Sequence, residues 1–153
     1  MPKPNLNPGW IKAVKDRFNP SPYFDLLSMR IVDIEPGRSC IKITAARKHL
    51  HALGIVHGGV LASLVDTACG WAVYTEIAPG LELTTVEMKL NYLAPAVDGD
   101  HLIGLGKCLK HGKTLSLAEA RVEDAAGRLL AHGTVTFMAL VLPDQQGMPP
   151  KYL

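Results

Sequence analysis

Residues 55–73, IVHGGVLASLVDTACGWAV, form the most apolar run of the chain, and their reading decides the fold. His57, Ser63, Asp66 and Thr67 interrupt the run, and a membrane span does not easily tolerate that polarity. The run therefore reads as a buried helix of a soluble protein. His57-Gly58-Gly59 breaks the preceding loop and opens a helical stretch over Val60 to Ile77, which Pro79-Gly80 closes. Its apolar residues occupy nearly every face, so the helix is expected to be central and wrapped.

Upstream of this run, Pro8 to Phe18 spaces Trp10, Val14 and Phe18 about one turn apart and predicts a short amphipathic helix. Ser21 to Leu27, with Pro22 near its first position, predicts a further helical turn. Arg30 to Ala45 alternates around Glu35-Pro36-Gly37-Arg38, which reads as a hairpin of two strands. Ala46 to Val56 shows no period and reads as a loop.

Downstream, four β-like segments follow: Leu83 to Leu93, His101 to Lys110, Thr114 to Glu123 and Leu129 to Leu142. Turn chemistry at Ala94-Pro95, Asp98-Gly99-Asp100, His111-Gly112-Lys113 and Asp124 to Gly127 separates or punctuates them. The tail from Pro143 reads as a surface extension or a disordered segment. Without α/β alternation, the natural packing is an α+β antiparallel sheet curled around one helix. The organisation expected is a helical extension over residues 1–24, one domain over 25–142 and a tail over 143–153.

Composition narrows the function classes. The 153 residues suffice for one domain with a real core, and 48% apolar with 20% charged residues is ordinary for a globular chain. A formal net charge of +2 gives no argument for nucleic acid or a membrane surface as a partner. Cys40, Cys69 and Cys108 are odd in number and lack a C-x-x-C pair, which argues against a disulfide framework or structural zinc and fits a reducing cytoplasm. Met1 to Trp10 holds three prolines and no apolar core, so it is not read as a signal peptide.

Ser63, Asp66, Thr67 and Gly70 fall at i, i+3, i+4 and i+7 and make one polar-and-small stripe on the apolar helix. A carboxylate there is either satisfied by neighbouring hydroxyls or a partner helix, or it is functional, because burying it bare costs several kcal/mol. The glycine turn adds free N–H groups at the positive end of a helix dipole, where an oxyanion can be held. Together the two features supply a base and an oxyanion donor. Gly58 and Asp66 are eight residues apart, about 12 Å along a helix. A base and a donor serving one carbonyl lie within roughly 6–7 Å. The simplest resolution is a two-fold dimer in which Gly58 of one chain meets Asp66 of another.

The string from Leu53 to Asp66 closely resembles the PaaI-like (phenylacetate-degradation type) hotdog thioesterases. The likeness extends over Thr84 to Pro95 with its Tyr92-Leu93-Ala94-Pro95 ending, Gly106-Lys107, His111-Gly112-Lys113-Thr114 and Gly133-Thr134, about residues 25–142 in all. The resemblance implies a hotdog fold, strand-paired homodimers with shared sites, and dimers of dimers. It implies hydrolysis of aryl- or medium-chain acyl-CoA with no metal or organic cofactor. In that pattern the Gly58 N–H polarises the thioester carbonyl, and Asp66 of the other subunit acts as general base or nucleophile. Thr85 matches a position that holds the water or the carboxylate. His51 stands where some relatives carry Asn, which puts its role in doubt. His57 fits better as a group that fixes the turn than as a donor to the thioester. Gly59, Lys107, Lys110, Lys113 and Thr114 are the candidates for binding the substrate, with Lys113 foremost for the CoA phosphates. The alternative is a hotdog protein that binds acyl-CoA without turnover.

Overall fold

In the computed structural model, which describes residues 4–142 and 147–153, the central helix is α3, Gly58–Tyr74. It starts two residues before the expected Val60 because His57 is its N-cap. The ring Nδ1 accepts the Gly59 N–H at 2.8 Å, so both glycines sit inside the first turn. It ends three residues before the expected Ile77. Thr75 caps it, donating from Oγ1 to the Ala72 carbonyl at 2.8 Å and accepting the Gly37 N–H at 2.8 Å.

Two shorter helices precede the sheet, α1 (Pro8–Phe18) and α2 (Pro22–Leu27). Asn7 caps α1 by accepting the Gly9 N–H at 2.9 Å, and the amphipathic spacing sends Trp10 and Val14 inward. The strands are β1 (Met29–Glu35), β2 (Arg38–Thr44), β3 (Leu81–Tyr92), β4 (His101–His111), β5 (Leu115–Glu123) and β6 (Leu129–Val141). They form one sheet in the order β1-β2-β4-β5-β6-β3, antiparallel throughout. The loop expected over 46–56 contains one short 3-10 turn, Arg47–His49, anchored by the ring of the buried His49. That ring bonds the Ala46 N–H and the Leu27 carbonyl, and its burial lowers its proton affinity.

The inner face of the sheet closes on α3. Ile41, Ile43, Leu102, Ala118, Ala120, Val122 and Val135 bury against Val60, Leu61, Leu64, Val65 and Ala68. Helix and sheet approach closely at Gly106, where any Cβ would run into the Ala68 carbonyl. Ser39 donates to that same carbonyl at 2.6 Å. The C-terminal tail packs rather than trailing. Asn7 N–H donates to the Lys151 carbonyl at 2.9 Å, and Lys151 itself is 6% exposed. The start of the tail, residues 143–146, lies outside the described residues.

Candidate active site

The polar stripe of α3 faces a gap between the N-terminal helices and the edge strand β3. Ser63 hydrogen-bonds the Tyr23 hydroxyl at 2.6 Å and donates to the Gly59 carbonyl at 2.8 Å. One turn further on, Asp66 accepts a hydrogen bond on Oδ1 from Thr85 Oγ1 of β3 at 2.9 Å. Burial raises the carboxyl's proton affinity above its ordinary value, and the Thr85 bond partly opposes this. Asp66 and Thr85 share a cleft of about 250 Å³ with Phe18, Phe24, Thr67, Gly70, Trp71, Tyr74, Glu82, Leu83 and Phe137. A half-buried carboxylate thus opens onto an aromatic cavity.

A bulge in β3 sets this geometry. Thr85 pairs with Phe137 and Glu87 with Thr136, so Val86 is the extra residue. Thr85 turns towards α3, whereas Glu87 turns outward to meet Thr136 Oγ1 at 3.3 Å. With strict alternation both would point the same way.

At the start of α3, His57 takes the Gly59 N–H and the His57 carbonyl takes the Val60 N–H at 2.9 Å. Gly58 N–H has no hydrogen-bond partner among the described residues. The Tyr92 ring lies over it, with ring atoms 3.1 Å from where a Gly58 Cβ would stand. Gly58 and Asp66 belong to one unbroken helix, and eight residues separate them by about 12 Å. Within one chain they do not converge.

The remaining candidates scatter. His51 accepts the Leu53 N–H at 2.9 Å in the loop before α3. The Lys113-Thr114 turn joins β4 to β5, and the Thr114 carbonyl accepts the Ala139 N–H of β6 at 3.0 Å. Because β6 separates β5 from β3, that turn lies two strands, or about 10 Å, from the Thr85 edge. Gly106 faces α3, so alternation sends Lys107 to the outer face of the sheet. Lys110 is level with the outward Leu117. Neither lysine is brought to Asp66. Among the described residues no cluster of three or more His, Cys, Asp or Glu could hold a metal, and no helix is long and apolar enough to cross a membrane.

Phe18, Phe24, Trp71, Tyr74, Glu82 and Phe137 stand outside the candidate set drawn from the sequence. All six line the cleft. The Trp10-Val14-Phe18 spacing marked an apolar face, but nothing in it said that Phe18 would meet Trp71 edge-on at 4.9 Å.

Residues 53–131 match the family described as the thioesterase superfamily. The chain belongs to that superfamily. Acyl-coenzyme A thioesterase 13 of Homo sapiens is 34% identical over 109 residues, covering 69% of this chain and 76% of that protein. The crystal structure of zebra fish thioesterase superfamily member 2 has a TM-score of 0.73 at 29% identity, over 85% of this chain and 97% of that one. The E. coli PaaI protein of the phenylacetic acid degradation operon is similar in fold, with a TM-score of 0.77 at 19% identity, over 84% and 91%. The protein is thus a thioester hydrolase by family, and its sheet wrapped round one helix is the hotdog fold.

Proposed function

We propose that this thioesterase hydrolyses acyl-CoA carrying aryl or medium-chain acyl groups, at sites shared between two copies of the chain. The observation that carries the reading is Asp66, a half-buried carboxylate held by Thr85 at an aromatic cleft. The name of the human relative supports acyl-CoA as the substrate class.

In this reading the cleft takes the acyl group. Asp66 removes a proton from water as the water oxygen attacks the thioester carbon, and the carbonyl electron pair moves to oxygen. The Gly58 N–H of the other chain meets that oxyanion at the positive end of its helix. Collapse breaks the C–S bond, and the CoA sulfur leaves with the proton held by Asp66. His51 and His57 hold the loop and turn that present Gly58 and Gly59. The Lys113-Thr114 turn is the basic contact for CoA phosphates. Direct attack by Asp66 would form an acyl anhydride instead. A single turnover in oxygen-18 water separates the routes, because only the anhydride route can label the Asp66 carboxylate.

Two features support the shared site. One is the 12 Å separation along α3 derived above. The other is β3, a 12-residue edge strand exposing Val86, Met88 and Tyr92. A long apolar edge is a template for pairing with another chain.

Thiol release from a panel of acyl-CoA substrates tests the activity. The wild-type protein is expected to release CoA and the Asp66→Ala variant to lose turnover by at least about 100-fold. Equal rates for the two would overturn the assignment.

A further inference from the structure

The cleft beside Asp66 has an end. Tyr74 and Glu82 line both that cleft and a second cavity of about 240 Å³ beyond it. At the boundary Tyr74 Oη donates to Glu82 Oε1 at 3.2 Å. The Tyr74 ring is fixed from several sides. Trp10 stacks on it with centroids 6.1 Å apart and planes 12° from parallel, and Trp71 meets it edge-on at 5.1 Å. The Lys151 ammonium lies 5.3 Å from the ring centre, itself anchored to the Tyr74 and Ile77 carbonyls at 2.5 and 2.6 Å.

Two walls give similar lengths. Tyr74 lies eight residues beyond Asp66 on α3, about 12 Å of rise. Glu82 lies three residues before Thr85 on β3, about 10 Å. A cavity of about 250 Å³ over that length exceeds the roughly 150 Å³ that holds benzene. It suits one ring on a short linker, or an alkyl chain of similar volume. The space past Tyr74 is walled mostly by apolar residues, among them Trp10, Leu81, Leu142 and Met148, so it can host methylenes once the way past Tyr74 is open.

The geometry points to Tyr74 as a specificity-determining residue, the floor of the acyl cleft that keeps long-chain acyl groups out of the second cavity. This rests on the acyl-CoA reading above. The test compares kcat/KM for phenylacetyl-, hexanoyl- and palmitoyl-CoA in the wild-type protein and in Tyr74→Ala and Tyr74→Phe. The wild type is expected to favour hexanoyl- over palmitoyl-CoA by at least about tenfold. Tyr74→Ala joins the cavities and brings that ratio within about twofold, chiefly by lowering KM for palmitoyl-CoA. Tyr74→Phe keeps the ring and the wild-type ratio. A wild type that turns over palmitoyl-CoA as well as hexanoyl-CoA overturns the floor, whether or not Tyr74→Ala folds. So does a folded Tyr74→Ala with an unchanged ratio. A wild type inactive on all three substrates overturns the acyl-CoA reading itself.

Discussion

Thr85 Oγ1 donates to Asp66 Oδ1 at 2.9 Å, and this bond ties the edge strand of the sheet to the middle of the central helix. It joins the two elements whose separation defines the cleft. It also favours the ionised carboxylate against the desolvation that burial imposes.

Asp66→Asn is expected to abolish turnover and stabilise the fold at once. Loss of a general base lowers kcat by roughly 10²–10⁴. The folded-state proton affinity of Asp66 is raised, so below its unfolded pKa both states carry the neutral acid and the fold loses nothing. As pH rises through the folded value, the fold must hold a half-buried charge and loses stability. The amide removes that cost while still accepting from Thr85. Thermal melts at pH 7 check this: the variant melts above the wild type, and the gap closes towards pH 4.

Thr85→Ala removes the bond that lowers the Asp66 proton affinity, leaving burial unopposed. The acid limb of the kcat/KM profile therefore moves to higher pH, and activity near neutrality falls by about tenfold. Thr85→Ser keeps the hydroxyl and the wild-type limb. A pH–rate series on the three proteins decides it.

Gly58→Ala places a methyl 3.1 Å from the Tyr92 ring. Tyr92 is 56% exposed within one chain, outside the core, so the fold of the chain survives, but the methyl crowds the approach to the Gly58 N–H. The expected loss is about 10² in kcat, the scale of one oxyanion donor. Adding Tyr92→Ala relieves the contact without restoring the rate. A restored rate would mean that the glycine serves packing alone.

Lys151→Ala removes the ammonium that joins the tail to the Tyr74 and Ile77 carbonyls. One buried and one part-buried carbonyl lose a charged partner, at a cost of about 2 kcal/mol, or roughly 4–8 °C in Tm. Circular-dichroism melts measure it.

What the sequence disclosed follows from periodicity and punctuation. The all-round apolar pattern of residues 60–77 marked the central helix, and the paired turn signals marked the strands. Asp66 stood out because a carboxylate on such a helix needs a reason. The helix ends slipped because His57 and Thr75 cap through side-chain hydrogen bonds that no period records. The bulge at Val86 was equally hidden, since the Thr-Thr-Val-Glu string reads as plain alternation. The aromatic lining comes from α1, α2, α3 and β6, and only tertiary packing brings these together. The outward facing of Lys107 and Lys110 was not legible either, because it depends on Gly106 packing against α3 and on a register shift between Cys108 and Lys110.

Subunit mixing tests the shared site most directly. Chains carrying Asp66→Ala are unfolded and refolded 1:1 with chains carrying a bulky substitution at Gly58, each inactive alone. If Gly58 of one chain serves Asp66 of another, half the dimers are mixed and each holds one intact site, so about a quarter of wild-type activity returns. A mixture as inactive as its parents, with mixed dimers confirmed by native mass spectrometry, would contradict the account.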